Sequence, residues 1–263
     1  MNKTKIALLC YTQEDSVEMN KEKVSRLLKK VEGADFVLLP EFSLDPGCRH
    51  SEKIPGEITH WFQEKAQIHS ANIIGNLIEK SDRSCYNTCV VINRKGHLVG
   101  TYRKIQLSHE DRERHKLSPG KSLCVFYIEG IPFGVSTCYD VWYPETARNM
   151  VLTGAKLVFV PFREEKYYIP YIRNLVRARA IENVIPLAGC GAEFSNPLFK
   201  VNSKNFAFFV LPSGKFIKEE SRREIAVHTF PSLDTMITRE KSNKKWERPF
   251  DGTVKFKIDK IES

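Results

Sequence analysis

Gly134-Val135-Ser136-Thr137-Cys138-Tyr139-Asp140-Val141-Trp142-Tyr143-Pro144-Glu145 is the stretch on which the fold turns. An apolar strand ends at Cys138, and a helix starts within a few residues, with Pro144 suited to its first turn. Such a strand-to-helix elbow can expose a thiol and aim backbone N–H groups and the positive end of a helix dipole at it, which favours thiolate. A buried structural thiol is the plainer alternative. None of the other cysteines (Cys10, Cys48, Cys85, Cys89, Cys124 and Cys190) sits at such an elbow.

Outward from this elbow, short apolar strands alternate with amphipathic helices. The pattern predicts strands over 5–11, 36–39, 72–78, 85–93, 98–102, 123–128, 132–137, 157–161, 185–191, 206–211, 215–217 and 224–230. It predicts helices over 17–31, 58–70, 142–152 and 168–183. Residues 93–97 and Pro212-Ser213-Gly214 read as hairpin turns. Residues 104–122 form a long polar loop with a helical turn; loops of that size in compact domains tend to be functional. Helix-crossed and hairpin-joined strands together imply an α/β layered domain with mixed sheets. Without a linker or composition break, residues 1–263 read as one domain, with a charged tail from about 239 whose alternating 254–258 suggests an edge strand or one exchanged with a partner.

Composition narrows the class. The chain is 41% hydrophobic and 28% charged, ordinary globular usage that excludes collagen, coiled coil and disorder. No apolar run has the ~18 residues of a spanning helix, and the N-terminal apolar stretch is too short for a signal peptide. The expectation is therefore a cytoplasmic protein with reduced thiols. The formal charge is +9, but Lys and Arg are interleaved with acids, which implies a solvated surface rather than a nucleic-acid or membrane partner. Cys85 and Cys89 face one side of a strand, and with no second pair at ligand spacing they read as small buried hydrophobes, not metal ligands.

Two further places carry chemistry. In Leu38-Leu39-Pro40-Glu41-Phe42 a carboxylate directly follows a buried strand, at the edge where α/β active sites gather, and there it can serve as a general base. In Tyr102-Arg103-Lys104-Ile105 a lysine ends another strand and suits a developing oxyanion. Alone, each reads as an ordinary surface residue. Glu145 and Arg148, and likewise Arg177, Arg179 and Glu182, read as structural pairs on helices.

Taken together, these blocks resemble the carbon–nitrogen hydrolase family, the nitrilase superfamily, amidase-like members included. Leu-Leu-Pro-Glu41 matches its glutamate motif, Tyr-Arg-Lys104 its lysine motif, and Cys138-Tyr-Asp-x-x-Tyr-Pro-Glu145-x-x-Arg148 its cysteine motif. Glu113 ahead of Leu117-Ser118-Pro119-Gly120, and Arg177-Ala-Arg-Ala-Ile-Glu182-Asn183, fit two more blocks. Three places depart from the family pattern: Thr137 stands where an apolar residue is usual, Asn202 where Gly often precedes Ser, and Phe162-Arg163-Glu164-Glu165-Lys166-Tyr167-Tyr168 bears on substrate choice.

The resemblance implies a four-layer α-β-β-α sandwich of two mixed β-sheets, pairing as a homodimer or higher oligomer. It implies hydrolysis of a non-peptide C–N bond in a small amide, releasing ammonia through a Cys138 thioester. Glu41 is then the base, and Lys104 with the backbone N–H of Tyr139 binds the oxyanion. Glu113 orients Lys104 or the substrate, and no metal or organic cofactor is needed. N-carbamoyl and nitrile hydrolysis use the same triad, and a catalytically silent binding protein on the same fold is the alternative of another class.

Overall fold

The computed structural model describes residues 3–196, 201–220 and 224–243. The expected edge strand over 254–258 lies outside them. In chain order the strands are β1 (Thr4–Leu9), β2 (Phe36–Leu38), β3 (Asn72–Ser81), β4 (Ser84–Ile92), β5 (Leu98–Arg103), β6 (Val125–Ile128), β7 (Ile131–Val135), β8 (Val158–Phe162), β9 (Leu187–Gly191), β10 (Ser195–Asn196), β11 (Val201–Asn202), β12 (Phe206–Val210), β13 (Phe216–Glu220) and β14 (Ile225–Phe230). The helices are α1 (Val17–Lys30), α2 (Glu57–His69), α3 (Pro144–Leu152), α4 (Ile169–Asn183) and α5 (Leu233–Asn243).

Two six-stranded mixed sheets result, ordered β14-β1-β2-β3-β4-β5 and β13-β12-β9-β8-β7-β6. The parallel runs are β1-β2-β3 in one and β7-β8-β9 in the other. Their inner faces meet in a dry layer of side chains that includes Ile6, Leu8, Phe36, Leu38, Phe133, Phe159 and Phe209. Phe36 meets Phe133 edge-on, with ring centroids 5.4 Å apart, an arrangement aromatic quadrupoles favour.

Helices cover both outer faces because their apolar stripes match. On α1, Val24, Leu27 and Leu28 turn inward at helical spacing, and Ser16 caps its start by accepting from the Met19 N–H at 3.4 Å. With Ile58, Phe62 and Ala66 of α2 they cover the first sheet. Ile172, Val176 and Ala180 of α4 and Met150 of α3 cover the second. The architecture is thus the expected α-β-β-α sandwich. Among the described residues, no helix is long and apolar enough to cross a membrane.

Three elements differ from the sequence expectation. The helix expected from Trp142 is a tight 3₁₀ turn, Cys138–Trp142, followed by α3 from Pro144. The helical turn in the long loop is a five-residue π turn, Glu110–Arg114. Helix α5 falls across the expected start of the charged tail. Its first residue, Leu233, is buried against the inter-sheet core, so tertiary packing supports a helix whose own sequence is weakly apolar.

Close approach demands one glycine near the site. A Cβ on Gly120 would lie 2.1 Å from the Arg103 carbonyl oxygen, and the Gly120 N–H donates to the Lys104 carbonyl at 2.8 Å. Gly120→Ala is therefore expected to lower stability by about 1–3 kcal/mol, the usual range for overpacking. A urea midpoint equal to that of the parent chain would contradict this.

Candidate active site

Glu41 follows β2, and a relay of buried amides on β3 and β4 fixes its loop. The Phe42 N–H donates to Asn76 Oδ1 at 2.6 Å, Asn76 Nδ2 to Asn87 Oδ1 at 2.7 Å, and Asn87 Nδ2 to Glu41 Oε1 at 2.7 Å. Lys104, just past β5, donates from Nζ to Glu41 Oε1 at 2.8 Å and to Asp111 Oδ2 at 2.7 Å. The Arg163 N–H, just past β8, donates to Glu41 Oε2 at 3.0 Å. All three charged side chains are almost fully shielded from solvent. Burial alone would lower the Lys104 pKa, but the charges of Glu41 and Asp111 overrule it and hold the ammonium well above its ordinary value.

Cys138 opens the 3₁₀ turn with φ +48°, a left-handed conformation that costs a non-glycine residue about 1–3 kcal/mol and tends to mark functional sites. The buried carboxyl of Asp140 holds the turn in place. Its Oδ2 accepts from the Thr137 N–H at 2.9 Å and the Tyr102 hydroxyl at 2.7 Å, and its Oδ1 from the Gln106 N–H at 2.8 Å. Asp140 thereby ties the cysteine turn to the segment bearing Lys104; burial pushes its pKa up to about 6. Thr137, the departure next to the thiol, sits with Oγ1 3.3 Å from the Cys89 sulfur.

The thiol faces Arg163 O at 3.5 Å and Glu164 Oε2 at 4.0 Å. Burial pushes its pKa well up, the Glu41 charge adds to this, and the Lys104 charge opposes it. The expectation of a thiolate poised by a helix dipole is therefore corrected. A five-residue turn does not outweigh burial beside carboxylates, so the resting group is a protonated thiol that needs a base. Glu41 has three donors on its two oxygens and keeps acceptor capacity on Oε2.

Glu41, Lys104 and Cys138 thus line one cavity of about 550 Å³. Tyr139 lines it too, with its ring 6.0 Å from Trp142 and 5.6 Å from Tyr143. A larger, shallower depression of about 790 Å³ over Glu165, Tyr167 and Tyr171 has no cysteine, serine or threonine among the described residues of its lining. Glu113 does not join the cavity. It lies exposed on the π turn, 3.5 Å from Lys116, and Asp111, two residues earlier, holds Lys104 instead. The reason is the turn's direction: the Asp111 carboxyl also accepts from the Ser108 N–H and hydroxyl, both at 2.9 Å, which faces it inward and Glu113 outward.

Other pairs rearrange as well. Arg179 does bind Glu182, at 3.2 Å, but Arg148 donates to the Glu182 carbonyl at 2.9 Å. Sequence reading missed Asn76, Asn87, Asp111 and the fit of Arg163. The available signal was an asparagine between apolar residues in the middle of β3 and another within β4, since buried polar residues are the informative exceptions. Among the described residues no cluster of three or more His, Cys, Asp or Glu side chains could hold a metal ion.

Two mixed sheets face to face between helices form the nitrilase-type sandwich. Residues 5–229 match the carbon–nitrogen hydrolase family, and the chain belongs to that family. It is 34% identical over 171 residues to an omega-amidase of Danio rerio, a match covering 60% of this chain and 62% of that protein. A 2-oxoglutaramate amidase of Bacillus subtilis (strain 168) is 26% identical over 205 residues, covering 74% of this chain and 77% of the relative. In fold, the chain is similar to the crystal structure of a CN-hydrolase superfamily protein from Xanthomonas campestris, with a TM-score of 0.86 at 19% identity over 97% of this chain and 100% of that one.

Two predictions follow from this geometry. Asp111→Asn removes a charged anchor from Lys104 and is expected to cut turnover by about 10²-fold, the scale of a misplaced functional group, whereas Glu113→Gln should change it less than about threefold, as surface changes do. The reverse order would restore Glu113 to the site. The second concerns Glu110. Burial raises its pKa, but hydrogen bonding from His115 and the Arg163 charge bring it down from 4.5 to about 2. Between about pH 4.5 and 2 the unfolded chain takes up a proton that the folded chain refuses, so this contribution is complete above 4.5 and lost as pH falls. Acid titration of stability should therefore be shallower in Glu110→Gln over that window, by an amount that solvent screening of this part-exposed group reduces.

Proposed function

We propose that this chain hydrolyses the C–N bond of a small amide and releases ammonia through a thioester on Cys138. The observation that carries this reading is the buried Glu41–Lys104 contact of 2.8 Å in one cavity with the Cys138 thiol. A protonated thiol is a poor nucleophile until a neighbouring base takes its proton. The names of the amidase relatives in Danio rerio and Bacillus subtilis support the same reaction class.

In this reading the Cys138 sulfur attacks the amide carbon while its proton passes to Glu41. The C=O π electrons move to oxygen, and Lys104 with the backbone N–H of Tyr139 binds the resulting oxyanion. The oxyanion collapses, the C–N bond breaks, and the nitrogen takes the proton from Glu41 to leave as ammonia. A water then attacks the thioester, giving its proton to Glu41. The C–S bond breaks, and Glu41 returns the proton to sulfur. Asp111 positions Lys104 and touches no reacting atom.

Glu41→Gln keeps the side-chain shape but cannot take a proton at neutral pH, so ammonia release should fall by roughly 10²–10⁴. Intact-protein mass spectrometry should show either no adduct or a long-lived one on Cys138. Lys104→Arg should also cost on the order of 10²–10³, because a broad fork replaces a compact ammonium. Near-normal turnover in either variant would overturn the assigned roles.

A further inference from the structure

The segment after β8 brings a carboxyl to the nucleophile that the mechanism above does not use. Glu164 Oε2 lies 4.0 Å from the Cys138 sulfur, and its half-buried side chain lines the reaction cavity. No described lysine or arginine forms a salt bridge with Glu164. Burial, with the Glu41 charge adding, pushes its pKa up to about 7, so an approaching cation would favour its ionised form.

The cavity's two cations are already committed. Lys104 is held between Glu41 and Asp111. The Arg163 guanidinium donates to the Pro46 carbonyl at 2.6 Å and to Glu110 at 3.2 Å, and lies over the Phe42 ring at 4.4 Å. Among the described residues, no other lysine or arginine lines this cavity. A substrate carboxylate near the reacting carbonyl would therefore meet Glu164 with no free counter-charge. A positive group there would gain an ion pair, and the Tyr139, Trp142 and Tyr168 rings that line the cavity can add cation–π attraction.

The distances place that positive group. In a near-attack geometry the amide carbon sits about 3–3.5 Å from the sulfur. A substituent two or three bonds from that carbon, with the acyl side turned toward the segment after β8, then falls within reach of a carboxyl 4.0 Å from the same sulfur. We infer that Glu164 is a specificity-determining residue that selects amides bearing an ammonium group two or three bonds from the scissile carbonyl carbon, an inference that rests on the amide-hydrolase reading above. The preferred substrate class is therefore amino-acid amides and related amino amides rather than amides of dicarboxylic acids.

Glycinamide and propionamide, which are nearly equal in size, isolate the charge, and malonamate, two heavy atoms larger, carries the opposite sign. Ammonia release is followed at pH 7.5 on the full chain. Wild type is expected to favour glycinamide over propionamide in kcat/KM by at least about tenfold, and malonamate least, as a close charge pair at moderate dielectric allows. In Glu164→Gln the glycinamide-to-propionamide ratio should fall to within about threefold of unity, and in Glu164→Lys the order of glycinamide and malonamate should invert. The wild-type ratio needs no variant, so it stands even where a substituted chain folds poorly. Hydrolysis of propionamide or malonamate at least as fast as glycinamide, or a Glu164→Gln ratio equal to wild type, would overturn the inference while leaving the amidase reading intact. No ammonia from any of the three, with no adduct on Cys138, would overturn both.

Discussion

The Lys104 ammonium between Glu41 and Asp111 is the interaction on which the rest of the site depends. Three charges out of water are costly unless each is paired and hydrogen-bonded. Here the surrounding scaffold meets that demand with Asn87 and the Arg163 N–H on Glu41 and with Ser108 on Asp111. These partners come from both sheets. The cluster therefore forms only when the two sheets are packed in register, which makes the active geometry a consequence of the whole sandwich rather than of any local motif. The same dryness strengthens whatever charge interaction a reaction develops there.

The cysteine turn solves a second problem, which is to present a thiol at the edge of a packed core. A left-handed φ at Cys138 is the local cost, and Asp140 secures it by gathering three donors, two of which lie on the Lys104 side of the site. The carboxyl acts as a rivet between the nucleophile and the cation. The protonated state of the thiol follows from the same burial.

The segment after β8 contributes to the cavity in two ways. Its backbone serves the shared chemistry, since the Arg163 N–H holds Glu41, while its side chains shape what enters. The Arg163 side chain is held by Phe42, Pro46 and Glu110, and the thiol faces the Arg163 carbonyl and the Glu164 carboxyl. One short stretch therefore contributes both a backbone donor to Glu41 and a carboxyl to the cavity wall, a combination open to loops placed on a rigid sheet edge.

Sequence by itself determined the layer architecture and pointed to the three residues that the fold brings into one cavity. Runs such as 36–39 and 157–161 are apolar throughout because both faces of their sheets are covered, and that pattern is legible without coordinates. Each of Glu41, Lys104 and Cys138 reads alone as an ordinary residue at a strand end, and they were singled out by the combination of their motifs, which resembles the carbon–nitrogen hydrolase family. The partners of these residues were decided by tertiary structure alone. Asp111 and Glu113 are two residues apart with similar chemistry, and only the π turn, locked by Ser108, decides which faces Lys104. Asn76 and Asn87 become a relay to Glu41 only through the pairing of β3 with β4. The protonation of Cys138 likewise depends on charges supplied from positions 41, 104 and 164. Periodicity records which way a residue faces within its own element. Which group it meets depends on how separate elements pack, and the electrostatics of a buried site belong to that packing.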